Sequence, residues 1–136
     1  MCLKVETVFK TRDAVRTAYK KPLVAKHDIY VWKIFVFNWD GILVSPHRMF
    51  DYTCGYEYKS SFSHQALHLA GTWRLLINRG LHAYVNRREA KVNLESCQTI
   101  VRCKIPAGAK YFLGRHNEIA SNRLIIGTKL QEFTRE

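Results

Sequence analysis

The chain has 136 residues, 47% of them hydrophobic, and carries 22 Lys and Arg against 11 Asp and Glu for a formal charge of +11. That length and apolar content supply one self-folding domain without low-complexity tracts, and the charge excess points to a polyanionic partner. The longest apolar run, Ile29 to Phe37, is interrupted by Lys33 and falls far short of the ~20 residues a membrane-spanning helix needs, so no membrane partner is expected.

Residues 1–27 read as a basic N-terminal arm preceding a globular domain at 28–136. Within the arm, TRDAVRTAYK fits either a short helix, with Val15 and Tyr19 in register, or an extended segment ordered by a partner, and Lys21-Pro22 ends it. Ile29–Phe37 is dense in β-branched and aromatic residues and predicts a strand. Asp40-Gly41 then marks a tight turn, and 42–45 the returning strand. Pro46 opens a loop in which Phe50, Tyr52, Tyr56 and Tyr58 recur around Gly55; these rings either stack on bases or close one end of the core.

Further strands are predicted at 72–77 and 80–85. Asn86 is placed as the N-cap of a helix over 87–95, with Glu89 completing a capping box. The alternating stretch 98–105 reads as a half-buried strand, Pro106-Ala107-Gly108 as a turn, and 111–113 and 123–126 as strands separated by the polar loop GRHNEIASN. The expected architecture is α+β: one compact domain, mainly antiparallel strands with one or two short helices.

The positive charge lies in three blocks. Residues 1–26 hold Lys4, Lys10, Arg12, Arg16, Lys20, Lys21 and Lys26 against two carboxylates. Residues 74–91 hold Arg74, Arg79, Arg87, Arg88 and Lys91 against Glu89, and 102–129 hold six cations, Lys110 and Arg115 among them, against Glu118. Arg87 and Arg88 sit in the first helical turn, against the dipole, where a functional surface is one reason to keep them.

Sites of other kinds find no support. Cys2, Cys54, Cys97 and Cys103 lack the short spacing of a zinc knuckle. Cys97 and Cys103, if on one strand, are ~20 Å apart and cannot bridge, so they read as core thiols of a reducing compartment, and Cys2 alone is expected to be reactive. His64 and His68 have the four-residue spacing of a helical metal pair, but their segment is short and lacks an accompanying Glu, so no metal is expected. No triad can be assembled, and no cofactor is called for. The opening MCLKVETVFK carries charges where a signal peptide has an apolar stretch, which suggests a cytoplasmic protein.

Gly80-Leu81-His82-Ala83-Tyr84, Ala90, the run Cys103 to Phe112, Gly114 and Glu118-Ile119-Ala120-Ser121 resemble a group of small proteins of Bacteroidetes-type bacteria and their phages. So do Met1-Cys2-Leu3, Asp28 to Lys33 and Val44-Ser45-Pro46 upstream. The resemblance implies an accessory protein of a mobile element acting inside a bacterial host cell. A more distant similarity, in the order of elements, is to the ADP-ribosyltransferase fold; it implies His82 at that family's tyrosine position and Glu118 at its catalytic carboxylate. Residues 29–37 have no His or Arg where that family anchors its dinucleotide.

The leading expectation is a non-catalytic basic protein that binds RNA or a host protein–RNA complex and inhibits a host defence system, in the manner of an anti-CRISPR protein. Arginine forks would take phosphates while tyrosines stack. The binding residues expected are Lys4, Lys10, Arg12, Arg16, Lys20, Lys21, Lys26, Arg74, Arg79, Arg87, Arg88, Lys91, Lys110 and Arg115. The alternatives are an ADP-ribosyltransferase-like enzyme using His82 and Glu118, or a protein that sequesters a signalling nucleotide.

Overall fold

The computed structural model describes residues 3–37, 43–44 and 51–130. In chain order they form β1 (Leu3–Phe9), α1 (Arg12–Tyr19), β2 (Leu23–Val24), β3 (Ile29–Phe37), β4 (Leu43–Val44), β5 (Asp51–Tyr52), β6 (Glu57–Lys59), β7 (Ser63–Leu69), β8 (Thr72–Arg79), β9 (Leu81–Tyr84), α2 (Arg87–Val92), β10 (Gln98–Ile105), β11 (Lys110–Leu113), β12 (Glu118–Ser121) and β13 (Arg123–Leu130), with a single 3-10 turn at Arg115–Asn117. This is the α+β architecture expected from the sequence: one compact domain of antiparallel strands with two short helices.

β3 and β10 are the centre. They pair antiparallel without a slip, from Gln98↔Val36 to Ile105↔Ile29. Strand alternation then sorts their side chains: Val31, Phe35, Val101, Cys103 and Ile105 are buried on one face with Leu81, Ala83, Ile119, Leu124 and Ile126. On the other face Trp32, Ile34 and Ile100 meet Tyr84 and the buried Ala90 and Leu94 of the α2 segment. The full sheet runs β2-β11-β12-β9-β3-β10-β13-β6, with β4 joining the end of β3 and β5 joining β4. β10 and β13 shift register between Val101 and Cys103, and at the shift Gly127 lies so close that a Cβ would overlap the Arg102 carbonyl oxygen.

A second sheet, β1-β8-β7, packs Leu3, Leu75 and Ile77 against Val15 of α1 and against Phe112 and Ala120 on the back of the large sheet. An isolated bridge, Val5↔Gly114, ties the two sheets, and Leu3 occupies the space a Cβ on Gly114 would fill. Among the described residues β7 pairs with β8 alone, which leaves its outer edge without a strand partner there.

Residues 3–24, within the segment expected as an arm, are folded into this body. Leu3 and Val15 are fully buried, and β2 pairs with β11 through Lys110↔Val24 and Tyr111↔Leu23. Of the two readings of 11–20, the helix is the one observed. The helix expected over 87–95 stops at Val92, where the Asn93 side chain donates to the Glu89 carbonyl at 2.7 Å; at its start Asn86 accepts from the Arg88 amide at 2.8 Å. The polar loop GRHNEIASN contains β12, and the segment holding His64 and His68 is a strand. Of the ring series, Tyr52 and Tyr58 close the core: Tyr52 is buried edge-on to Phe35 (5.2 Å) and Tyr58 (4.8 Å), while Tyr56 is exposed and Phe50 lies outside the described residues, as does the turn at 38–41. Cys97, expected in the core, is exposed with φ 63 just before β10; Cys103 is buried and Cys54 half-buried, and all three are free thiols.

Lys33 breaks the apolar pattern of the inner face. It is 8% exposed, and its Nζ donates to the His82 carbonyl at 2.5 Å. β9 pairs with β3 at Trp32↔Tyr84, and the Lys33 amine adds a side-chain link from β3 to the β9 backbone. Burial pushes this amine down to about 8, while burial also pushes the neighbouring Cys103 thiol up to about 12.

The β7–β8 hairpin turns on Ala70 (φ 52) and Gly71 (φ 79), a two-residue left-handed turn that asks an alanine to adopt a conformation suited to Asn or Gly. Ala70→Asn should raise stability by about 0.5–1 kcal/mol in urea denaturation. Lys33 is protonated in both folded and unfolded chains below pH 8, and the folded chain releases its proton first as pH rises toward 10.5, so its contribution to stability increases through that window. The penalty relieved is roughly 3 kcal/mol. Cys103, which keeps its proton in the folded chain, acts in the opposite sense above pH 9. The difference between the wild type and Lys33→Met therefore isolates the lysine: the variant should be the more stable at pH 7, with the gap closing by pH 10.5.

Candidate nucleic-acid interface

α1 begins where the Thr11 hydroxyl accepts the Ala14 amide at 3.1 Å, with Asp13 in its first turn, and ends at Lys20. Its inner face is fixed by Val15, Ala18 and Tyr19, which pack on the small sheet. The Tyr19 ring stacks on His64 at 3.7 Å, and its hydroxyl donates to the Phe62 carbonyl at 2.9 Å. Once these are buried, helical periodicity lays Arg12, Arg16 and Lys20, spaced four apart, along one exposed flank of the helix, with Asp13 and Thr17 on its outermost side. Lys10 and Lys21 are exposed at its two ends, and none of the five makes an ion pair among the described residues. The charge is felt locally: burial and then Arg16 hold the His64 imidazole below its ordinary range.

Beside the start of the helix, the small sheet carries a row of rings. Register places Phe9 opposite Trp73 and Trp73 opposite His68. Phe9 and Trp73 are half-buried, His68 is exposed, and the His68 and Trp73 rings stack at 4.4 Å with planes 9° apart. The chain passes from Phe9 directly to Lys10 and Arg12, so ring faces and guanidinium charge adjoin. Such a combination of stacking surface and cations suits a single-stranded nucleic acid. None of the three rings stood out in the sequence, because they come from three strands and only their register unites them.

The other expected binding residues are distributed differently. Lys26 lies exposed beyond β2 and Lys110 at the start of β11, both near the edge to which Lys20 and Lys21 lead. Arg115 is exposed in the 3-10 turn beside β1. Lys4 and Arg74 lie on the side of the small sheet away from α1, where Arg74 donates to the Glu6 carbonyl at 3.3 Å; Arg79 is exposed at the end of β8. Arg87, Arg88 and Lys91 belong to α2, which rests on the Trp32 and Ile34 side of the large sheet, apart from the α1 stripe. Much of the third block is engaged internally: Arg102 covers the Tyr30 ring at 3.9 Å, Lys104 pairs with Asp28 at 3.6 Å, and Arg123 with Glu57 at 2.7 Å.

His82 and Glu118 come together on neighbouring strands. Glu118 faces Tyr84 and Ala120 faces His82, so the carboxylate and imidazole share one side of the sheet, one diagonal step apart. His82 is buried and Glu118 half-buried. Burial raises the Glu118 carboxyl, with His116 pulling it back; burial, then Glu118 and Glu89, raise the Tyr84 phenol. His64 and His68 are four residues apart on a strand, ~13 Å, which is too far for one metal ion. No group of three or more His, Cys, Asp or Glu suited to a metal occurs among the described residues. Among the described residues no helix is long and apolar enough to cross a membrane.

No protein-family model, curated protein or solved structure matches this chain, so its functional reading rests on the geometry above.

Proposed function

We propose that this protein binds RNA, free or within a host protein–RNA complex, through the exposed cationic flank of α1 and the adjoining Phe9–Trp73–His68 row. The observation that carries the reading is the juxtaposition of a cationic stripe that has no ion pair among the described residues with a partly open aromatic row. Phosphates lie along Lys10, Arg12, Arg16, Lys20 and Lys21 while a base stacks at His68 and Trp73. Arg12 and Arg16 supply planar donor forks, which take phosphate oxygens two at a time. The resemblance to mobile-element proteins extends the proposal to the partner: a ribonucleoprotein of host defence, obstructed by occupation of its RNA surface.

The electrostatic part is tested by titrating labelled single-stranded RNA at two salt concentrations. With five cations engaged, affinity should fall roughly 100-fold between ~50 and ~200 mM salt. Reversing Arg12, Arg16 and Lys20 to Glu should lower the log–log salt slope by about 2. An affinity indifferent to salt would sink the reading. The stacking part is tested separately: His68→Ala, at an exposed position, should weaken binding by about 1 kcal/mol without changing the salt slope.

A further inference from the structure

We propose that β7 is a dimer interface, pairing edge to edge with β7 of a second copy of this chain once a polyanion has neutralised α1. The trigger rests on the RNA reading above, whereas the pairing rests on the edge itself. Among the described residues β7 is the long sheet margin that carries no charge. The margin at β6 holds Glu57 and Lys59, and the one at β1 holds Lys4 and Glu6 and is bridged to Gly114. β2 and β5 have two residues each. Charge and brevity keep sheet edges from pairing, and β7, seven residues reading SHQALHL, has neither.

The strand is also self-complementary. Ala66 is its midpoint, so a two-fold axis there pairs the whole strand antiparallel: Ser63 with Leu69, His64 with His68, and Gln65 with Leu67. Opposite residues share a face, so both α1 helices lie on the same side of the joined sheet. On the other side the pairing covers Leu69, which is 65% exposed, and brings the half-buried Leu67 of each copy diagonally together. On the α1 side it completes the candidate site. Register sets Phe9, Trp73 and His68 in a row that stops at the β7 margin. In the dimer that row continues into the second copy's His64, opposite His68, and on to the Tyr19 ring that stacks on that histidine at 3.7 Å.

Charge sets the condition for closure. In the joined sheet the two β8 strands are three strand spacings apart, ~14 Å. α1 lies against β8 and β7, so two stripes of exposed cations come close together. That separation is comparable with the Debye length of ~10 Å at 0.1 M salt, and repulsion holds the copies apart. A strand of RNA laid along both stripes removes the repulsion, and so does concentrated salt.

Sedimentation of the full chain tests the pairing and its trigger separately. The chain is run alone in ~50 mM and in ~1 M salt, and with a ~12-nucleotide single-stranded RNA in ~50 mM salt. The expected protein mass is 15.9 kDa alone at low salt and twice that in the other two conditions. Gln65→Lys combined with Leu69→Lys changes two exposed positions on the side away from α1, and sets the introduced amines diagonal to one another across the axis. This variant, checked for retained β-structure by circular dichroism, should bind the RNA with one chain per complex. A wild type that stays monomeric in ~1 M salt overturns the pairing, whether or not it binds RNA. So does a variant that still carries two chains per RNA. A wild type that dimerises in salt yet binds RNA as a single chain overturns the trigger. Dimerisation in salt without any RNA binding upholds the pairing and removes the RNA reading instead.

Discussion

The β3–β10 ladder decides what this molecule can be. Its unbroken register from Ile29 to Val36 fixes which side chains enter the central core, and a slip of one residue would exchange Val31, Lys33 and Phe35 for Trp32 and Ile34. The outer set is already committed to α2 and the inner set to β13, β12 and β9. Because both faces are occupied, the burial of Lys33 is a consequence of correct pairing rather than a local accident. The chain tolerates roughly 3 kcal/mol of burial penalty at that point because the surrounding apolar burial, worth about 2 kcal/mol for each large side chain, greatly exceeds it.

A charge of +11 on a body this small generates repulsion that folding must overcome. The molecule meets part of that by internal use, over Tyr30 and against Asp28 and Glu57, and these contacts fall in the central sheet and its β6 edge. Among the described residues the cations of α1 receive no such treatment. Their backbone could have carried neutral side chains without loss, since the packing of α1 is done by Val15, Ala18 and Tyr19. The contrast between cations that serve the fold and cations that do not is what singles out α1.

Much of this was legible in the residues. β3, β10 and the start of α2 announce themselves through contiguous signals: β-branched density, alternation, and an Asn with Glu three places on. β12 was hidden because four residues beginning with Glu acquire strand character only from pairing with β9, far away in the chain. β7 was hidden because its hairpin uses Ala-Gly, a dipeptide that sequence rules do not associate with a left-handed turn. The N-terminal segment reads as an arm because its seven cations overshadow Leu3 and Val15, which anchor it. The spacing of Arg12, Arg16 and Lys20 was open to inspection once a helix was assumed. The aromatic row and the enclosure of Lys33 were not, since each joins residues from separate strands.

The margin of β7, unpaired among the described residues, has a colloidal consequence. Its seven residues include no Lys, Arg, Asp or Glu, so nothing on the strand itself repels an approaching backbone. Protection against sheet-to-sheet coalescence then falls to the long-range field of the remaining surface, which weakens as counterions shorten its reach. Were a polyanion to settle on α1, as proposed, it would discharge part of that shield, and occupancy and self-association would then be coupled through the same positive field.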